Sequence, residues 1–84
     1  MADLQAKFEQ AVIDSKSLPE KPDNMTLLNL YALYKQASSG DAGGNRPGFG
    51  DMVGRAKWDA WTGLAGKPGD EARQEVVHLV GSLP

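Results

Sequence analysis

Hydrophobic residues recur at helical spacing in four segments of the chain, and none of its segments shows the strict alternation of a half-buried strand. The pattern predicts helices over about residues 3–17, 24–38, 51–64 and 68–83. The second segment is the most regular, because Leu30, Leu33 and Ala37 recur at i, i+3 and i+7 and form one apolar stripe. The sequence therefore predicts an all-α protein with four helices.

A second stripe on the same helix carries groups that a core does not need. Leu28, Tyr31 and Lys35 have the spacing of the apolar stripe beside them, and Tyr34 falls between the two stripes. Tyrosine faces and a lysine suit a phosphorylated nucleotide, since a stacked base contributes roughly 1–3 kcal/mol and a charge-assisted hydrogen bond about 1.5–3 kcal/mol. From spacing alone, an alternative stays open, in which both tyrosines extend the core and keep their hydroxyls at its rim.

The segment GDAGGNRPGFG, residues 40–50, separates the second and third helices. Its five glycines and one proline exclude regular structure. Long ordered loops in small domains are usually functional or packed tightly on the body. We expect Arg46 to anchor this loop, and Pro47 with Gly48 to set its turn.

Composition narrows the class of protein. The 84 residues carry 40% hydrophobic and 24% charged residues, which predicts a single small globular domain over residues 1–84. The absence of cysteine excludes a disulfide framework and a thiolate nucleophile, and favours an intracellular, cytoplasmic setting. No segment has the pattern of a signal peptide or a membrane span. A net charge of −2 argues against nucleic acid as the partner.

Catalytic and metal-binding patterns are missing from the sequence. The single histidine, His78, stands on the fourth helix without a serine and carboxylate arrangement around it. Asp51 is explained as a helix cap and Asp59 as a surface charge, and no ligand spacing for a metal occurs. We therefore expect neither an enzyme nor a cofactor.

The run YALYKQASSGDAGGNRPGFGDMVGRAKWDAW, residues 31–61, resembles the acyl-CoA-binding protein family. The shared pattern is Y-x-x-Y-K-Q-A, then G-D, then R-P-G, then G-x-A-K-W-D-A-W, without a gap. The resemblance implies a four-helix bundle with an up-down-down-up arrangement. It also implies a site for long-chain fatty acyl-CoA thioesters.

Roles for individual residues follow from the resemblance. It implies that Tyr31, Lys35 and Lys57 surround the 3′-phosphate of CoA, that Tyr34 stacks on adenine, and that Lys16 lies near the CoA phosphates. The implied acyl groove is formed by Val12, Leu27 and Leu28. Trp58 and Trp61 are expected in the core rather than at the ligand.

Three positions depart from the family pattern. Val76 stands where a ligand-contacting tyrosine is usual, which should cost on the order of 1 kcal/mol if that hydroxyl made one net hydrogen bond. Val53 stands where lysine is frequent, and Asn29 replaces a bulky apolar residue and is expected to loosen the core. We expect an affinity below the family norm.

The predicted function is an intracellular carrier and pool buffer for long-chain acyl-CoA. The predicted protein is a monomer that makes transient contact with acyl-CoA-using enzymes or membranes. One alternative is a helical protein-interaction module of the same fold with weakened ligand binding. A thioesterase or acyltransferase fragment is disfavoured, because the sequence offers no nucleophile and base.

Overall fold

The computed structural model describes residues 3–83. Its helices are α1 (Leu4–Ser15), α2 (Asn24–Ser39), α3 (Met52–Thr62) and α4 (Gly69–Ser82), and residues 3–83 contain no strand. The all-α prediction is confirmed. The first two residues and the last residue of the predicted 1–84 domain lie outside the described range.

Aspartates start three of the helices. The Oδ1 atoms of Asp3, Asp23 and Asp51 accept hydrogen bonds from backbone N–H groups three residues ahead, at 2.7, 2.8 and 3.0 Å. Each satisfies an N–H group that the helix itself leaves unpaired. The ends of α1 and α3 fall two residues before the predicted ends, because the chain turns at Lys16 and at Gly63.

The core lies where α4 packs between α1 and α2. It consists of Phe8, Ala11, Leu33, Ala37, Ala72, Val76 and Val80, with Leu30 packed at its edge. The predicted stripe of α2 is therefore confirmed as the buried one. Asn29, in contrast, is exposed. The prediction that it loosens the core is wrong, since its side chain does not enter the core.

α2 and α3 run parallel. The Lys57 ammonium of α3 lies over the Tyr31 ring of α2, and one turn further along both helices the Lys35 ammonium lies over the Trp61 ring. Two contacts that advance in the same direction on both helices require parallel axes.

α1 and α4 run antiparallel to α2. Phe8, in the first half of α1, stacks on Tyr34, in the second half of α2. Gln36, near the end of α2, donates to the carbonyl of Lys67, just before α4 begins. The directions give the up-down-down-up arrangement that the resemblance to the family implies.

A buried glutamine ties the loop to the helices. Gln36 is 1% exposed, and its Nε2 atom donates to Asp41 Oδ1 at 2.7 Å and to the Lys67 carbonyl at 2.9 Å. The same Asp41 oxygen accepts from the Gly66 N–H at 2.9 Å. These hydrogen bonds lower the pKa of Asp41. The end of α2, the start of the loop and the α3–α4 connection are thus held at one point.

The loop is also attached to α3. Arg46 donates from two nitrogens to both carboxylate oxygens of Asp59, at 2.8 and 2.6 Å, so the predicted anchor is confirmed. Asp59 is its partner and not merely a surface charge. The indole N–H groups of Trp58 and Trp61 donate to the carbonyls of Gly43 at 3.4 Å and Gly40 at 2.8 Å. Both tryptophans are half-buried between α3 and the loop, so the prediction that they belong to the core is wrong.

Candidate ligand-binding site

Two pockets meet along α2. The first, the α2–α3 pocket, has a volume of about 400 Å³, and the second, the α1–α2–α4 pocket, has a volume of about 370 Å³. Both are lined by Leu27 and Tyr31, which form the boundary between them. A single elongated ligand that passes over these two side chains would occupy both pockets.

The α2–α3 pocket is mainly apolar. In addition to the two shared residues it is lined by Asn24, Leu28, Met52, Val53, Ala56 and Lys57. Met52 is 75% exposed and Val53 is 66% exposed, so the rim of the pocket is apolar as well as its wall. Such a lining suits a hydrocarbon chain, which gains about 0.8 kcal/mol for each methylene removed from water.

The α1–α2–α4 pocket combines an apolar floor with polar groups. Its remaining lining residues are Val12, Ser15, Lys16, Leu30, Tyr34 and Val76. Val76 is 2% exposed and belongs to the core, whereas the Tyr34 ring is 42% exposed and Lys16 is exposed. An aromatic face and an ammonium group beside each other can hold an aromatic base that carries phosphates.

Two lysines between α2 and α3 have no carboxylate partner in the part of the chain that the structure describes. Lys57 Nζ lies 5.2 Å from the centroid of the Tyr31 ring, and Lys35 Nζ lies 5.0 Å from the centroid of the Trp61 ring. Within residues 3–83, neither ammonium has a carboxylate oxygen within 4 Å. Lys67, in contrast, is paired with Glu75 and more weakly with Glu71, which raise its pKa. The two unpaired ammonium groups are available to an anionic ligand.

The structure brings together most of the residues predicted from the sequence. Eight of the nine predicted contacts line one of the two pockets. Lys35 lines neither pocket, because it lies one turn beyond Tyr31 against Trp61. Val12 lies with Lys16 in the α1–α2–α4 pocket rather than beside Leu28 in the α2–α3 pocket.

Sequence reasoning missed Met52 and Ala56 as lining residues. With Val53 and Lys57 they stand at i, i+1, i+4 and i+5 of α3, the spacing of one helix face. That spacing is a usable signal, because the neighbours of Lys57 on the same helix face line the same surface. Asn24, Ser15 and Leu30 had no comparable signal.

Residues 3–83 contain neither a membrane-spanning helix nor a metal-binding cluster. No helix in this range is long and apolar enough to cross a membrane. No group of three or more histidine, cysteine, aspartate or glutamate residues in the described chain has an arrangement that could hold a metal ion.

Comparison with known proteins decides the family. The family described as "Acyl CoA binding protein" matches residues 5–80. The chain belongs to the acyl-CoA-binding protein family. Membership implies acyl-CoA binding and agrees with the resemblance that residues 31–61 show.

Full-length relatives support this assignment. The chain is 46% identical over 81 residues to the acyl-CoA-binding protein homolog of Manduca sexta, covering 95% of the chain and 90% of that relative. It is 45% identical over 76 residues to the acyl-CoA-binding protein of Saccharomyces cerevisiae, covering 90% of the chain and 87% of the relative. The crystal structure of Oryza sativa acyl-CoA-binding protein 2 superposes with a TM-score of 0.90 at 40% identity, covering 95% of this chain and 87% of that one.

Some relatives are much longer than this chain. It is 47% identical over 83 residues to enoyl-CoA delta isomerase 2 of Rattus norvegicus, covering 99% of the chain but only 21% of the isomerase. The chain thus spans about a fifth of the length of this relative, and the human isomerase gives a similar share of 20%.

Proposed function

We propose that this protein binds long-chain fatty acyl-CoA thioesters without forming a covalent bond. The observation that carries the proposal is the pair of pockets that meet at Leu27 and Tyr31, one of them mainly apolar and the other flanked by Lys16 and Tyr34. An acyl-CoA thioester has an apolar chain at one end and an aromatic base with phosphates at the other. The two pockets match these two kinds of chemistry.

The proposed division of roles follows the chemistry of each lining residue. Tyr34 stacks on adenine with its exposed face, and Lys16 contacts the CoA phosphates. Tyr31, Lys35 and Lys57 surround the 3′-phosphate, which needs several donors because it carries close to two negative charges. The acyl chain lies in the α2–α3 pocket against Leu27 and Leu28. Val12 and Val76 form the floor of the other pocket.

The energetics require both halves of the ligand. Twelve buried methylenes would contribute up to ~10 kcal/mol, from which ordering and association costs are subtracted. The head group alone gains the phosphate and stacking contacts but not this burial. A free fatty acid gains the burial but lacks the phosphate contacts. Only the thioester engages both pockets.

The proposed role is that of a cytoplasmic, monomeric carrier that buffers free acyl-CoA and meets enzymes or membranes transiently, with residues 1–84 forming one acyl-CoA-binding domain. The only histidine, His78, is exposed on α4 and lines neither pocket, so it does not support hydrolysis of the thioester. A thioesterase would release free CoA, which a thiol reagent detects without interference because the protein has no cysteine. We expect no release above the rate without protein.

Mapping the bound ligand tests the site directly. We expect amide signals of residues 12–16, 27–35 and 52–57 to shift in a nuclear magnetic resonance titration with palmitoyl-CoA. The surface depression of α4 around Gln74 and His78 shares no lining residue with either pocket, so it serves as an internal control and should not respond. Shifts confined to that depression, or no shifts at all, would contradict the proposal.

A second function has one observation in its favour. Met52 and Val53 are largely exposed, and an apolar rim of this kind can bind another protein instead of a ligand. A protein-interaction module would show no binding in a titration with acyl-CoA. Saturable binding of the thioester would exclude this alternative as the primary function.

A further inference from the structure

Two lysine–aromatic pairs connect α2 and α3 on successive turns. In the first pair α2 supplies the aromatic ring and α3 the ammonium, and in the second pair the order is reversed. The ammonium of Lys35 lies 5.0 Å from the Trp61 ring, within the range in which a ring face attracts a cation. The pairs place the Lys57 ammonium beside Tyr31 and the Lys35 ammonium one helical turn further along.

The Trp61 ring is itself fixed in orientation. Its Nε1–H donates to the Gly40 carbonyl at 2.8 Å, and Gly40 ends α2 with a φ of 78°. The indole is half-buried between α3 and the loop, so its edge is held by the loop and its face is turned to Lys35. The edge and the face of the indole therefore have different partners. A phenylalanine at this position would lose the hydrogen bond to Gly40 and keep an aromatic face for Lys35.

A lysine side chain in water samples many rotamers, and ordering it opposes ligand binding. Lys35 has no carboxylate partner within residues 3–83, which leaves the ring face of Trp61 as the group that restricts it. A ring face does not neutralise the charge. It confines the ammonium while leaving its N–H donors available to an anion.

We propose that Trp61 is a positioning residue for the phosphate site: its indole face holds the Lys35 ammonium at the α2–α3 interface, ready for the 3′-phosphate of CoA. This inference rests on the proposed function, since it assigns Lys35 to the phosphate. Trp61 does not itself touch the ligand. Its contribution is confined to ligands that carry the 3′-phosphate.

Nuclear magnetic resonance of the free protein tests the pairing without any ligand. A ring face shields nearby protons, so the ε-methylene protons of Lys35 should resonate upfield of those of Lys21, which is exposed in the α1–α2 connection. Trp61→Leu should remove the shift, and Trp61→Phe should retain part of it. Lys35 protons at the position of Lys21 in the unsubstituted protein would overturn the proposal.

Binding measurements test the consequence. Trp61→Leu should weaken palmitoyl-CoA binding about two- to fivefold, the equivalent of a cation–π contact at an exposed site. Binding of 3′-dephospho-palmitoyl-CoA should change much less. In a Lys35→Met background, Trp61→Leu should have no further effect on palmitoyl-CoA. An equal loss with both ligands, or an undiminished loss in the Lys35→Met background, would show a merely structural role and overturn the proposal.

A variant that fails to fold and a protein that binds neither ligand can both be distinguished from the outcomes above. If Trp61→Leu does not fold by circular dichroism, Trp61→Phe takes its place, with a smaller loss that is again expected only for the ligand with the 3′-phosphate. An unsubstituted protein that binds neither ligand overturns the proposed function and the binding role of Trp61. The proton shifts of Lys35 still decide whether the pairing exists.

Discussion

The ring of Phe8 lies behind the ring of Tyr34, with centroids 6.0 Å apart and planes inclined by 17°. Phe8 is 5% exposed and belongs to the core, whereas Tyr34 is 42% exposed and lines the α1–α2–α4 pocket. Offset stacking of this kind is favourable between aromatic rings. One face of Tyr34 is thus supported by the core, and the ring is already oriented before a ligand base arrives.

Tyr34→Ala should weaken palmitoyl-CoA binding by about 1–3 kcal/mol, because the stacking surface for adenine is lost. Tyr34→Phe is the matched control, since it retains the ring and removes only the hydroxyl, and its affinity should stay close to that of the unsubstituted protein. Isothermal titration calorimetry measures both. Equal losses in the two variants would argue against stacking and assign the effect to the hydroxyl.

Lys57→Met should weaken palmitoyl-CoA binding by about 1.5–3 kcal/mol, which is roughly 10- to 150-fold, because a charge-assisted hydrogen bond to phosphate is removed. Methionine keeps most of the aliphatic stem against the Tyr31 ring. Lys21→Met, in the exposed α1–α2 connection, controls for the loss of one positive charge. If the two variants bind equally well, the assignment of Lys57 to the phosphate is wrong.

Val53→Lys should tighten acyl-CoA binding by up to about 1 kcal/mol, because it adds a charge at the exposed rim near Lys57. Val53 is 66% exposed, so the free energy of unfolding should change by less than about 0.5 kcal/mol. Val53→Glu should act in the opposite direction, and added salt should diminish both effects. Titrations at low and high salt measure the difference, and identical affinities for the two variants would contradict the phosphate assignment.

Gln36→Met should lower the free energy of unfolding by about 1–3 kcal/mol, because Asp41 and the Lys67 carbonyl lose their shared donor. Gln10→Met is the control, since Gln10 also donates to an aspartate but is exposed on α1. We expect the control to stay within about 0.5 kcal/mol in urea unfolding. An equally small effect of Gln36→Met would show that the buried glutamine does not hold the loop.

Acid should destabilise the protein through Asp41 and Asp59. Hydrogen bonds from Gln36 and Gly66 lower the pKa of Asp41, and Arg46 lowers the pKa of Asp59, both below the ordinary value of 3.8. A carboxyl group whose pKa is lower in the folded state contributes its full stability above the unfolded pKa, and that stability is lost as the pH falls through the folded pKa. The melting temperature should therefore fall as the pH drops below 3.8.

Asp59→Asn isolates one of these contributions. It should lower the melting temperature at neutral pH and make the loss in acid shallower, because asparagine keeps no charge for Arg46. Glu20→Gln, exposed in the α1–α2 connection, should leave the melting temperature at neutral pH and its decrease in acid unchanged. Melting curves of Asp59→Asn that run parallel to those of the unsubstituted protein at every pH would exclude this ion pair as a source of acid sensitivity.

The sequence predicted the helices and the buried stripe of α2, because both depend on local spacing. Leu33 and Ala37 are buried as their spacing indicated. Gln36 was not anticipated, although it follows Leu33 by three residues and so lies near the same face. Burial of an amide depends on its partners, and Asp41 and Lys67 reach it only through the fold.

In the site, too, features that depend on local spacing were predictable and contacts between helices were not. Residues on one helix can be grouped by spacing alone, and Tyr31 and Tyr34 do line the same pocket. The contact of Lys35 with Trp61, 26 positions apart, requires the parallel direction of α2 and α3, which only the resemblance to the family supplied. The expectation that Asn29 loosens the core was wrong for a related reason, since the position lies on the exposed side of α2.

The most direct test of the central proposal is isothermal titration calorimetry with palmitoyl-CoA, beside CoA and palmitate at the same protein concentration. We expect saturable one-to-one binding of the thioester and far weaker binding of both controls, because only the thioester occupies the two pockets that meet at Leu27 and Tyr31. Palmitoyl-CoA that binds no better than CoA or palmitate would contradict the account.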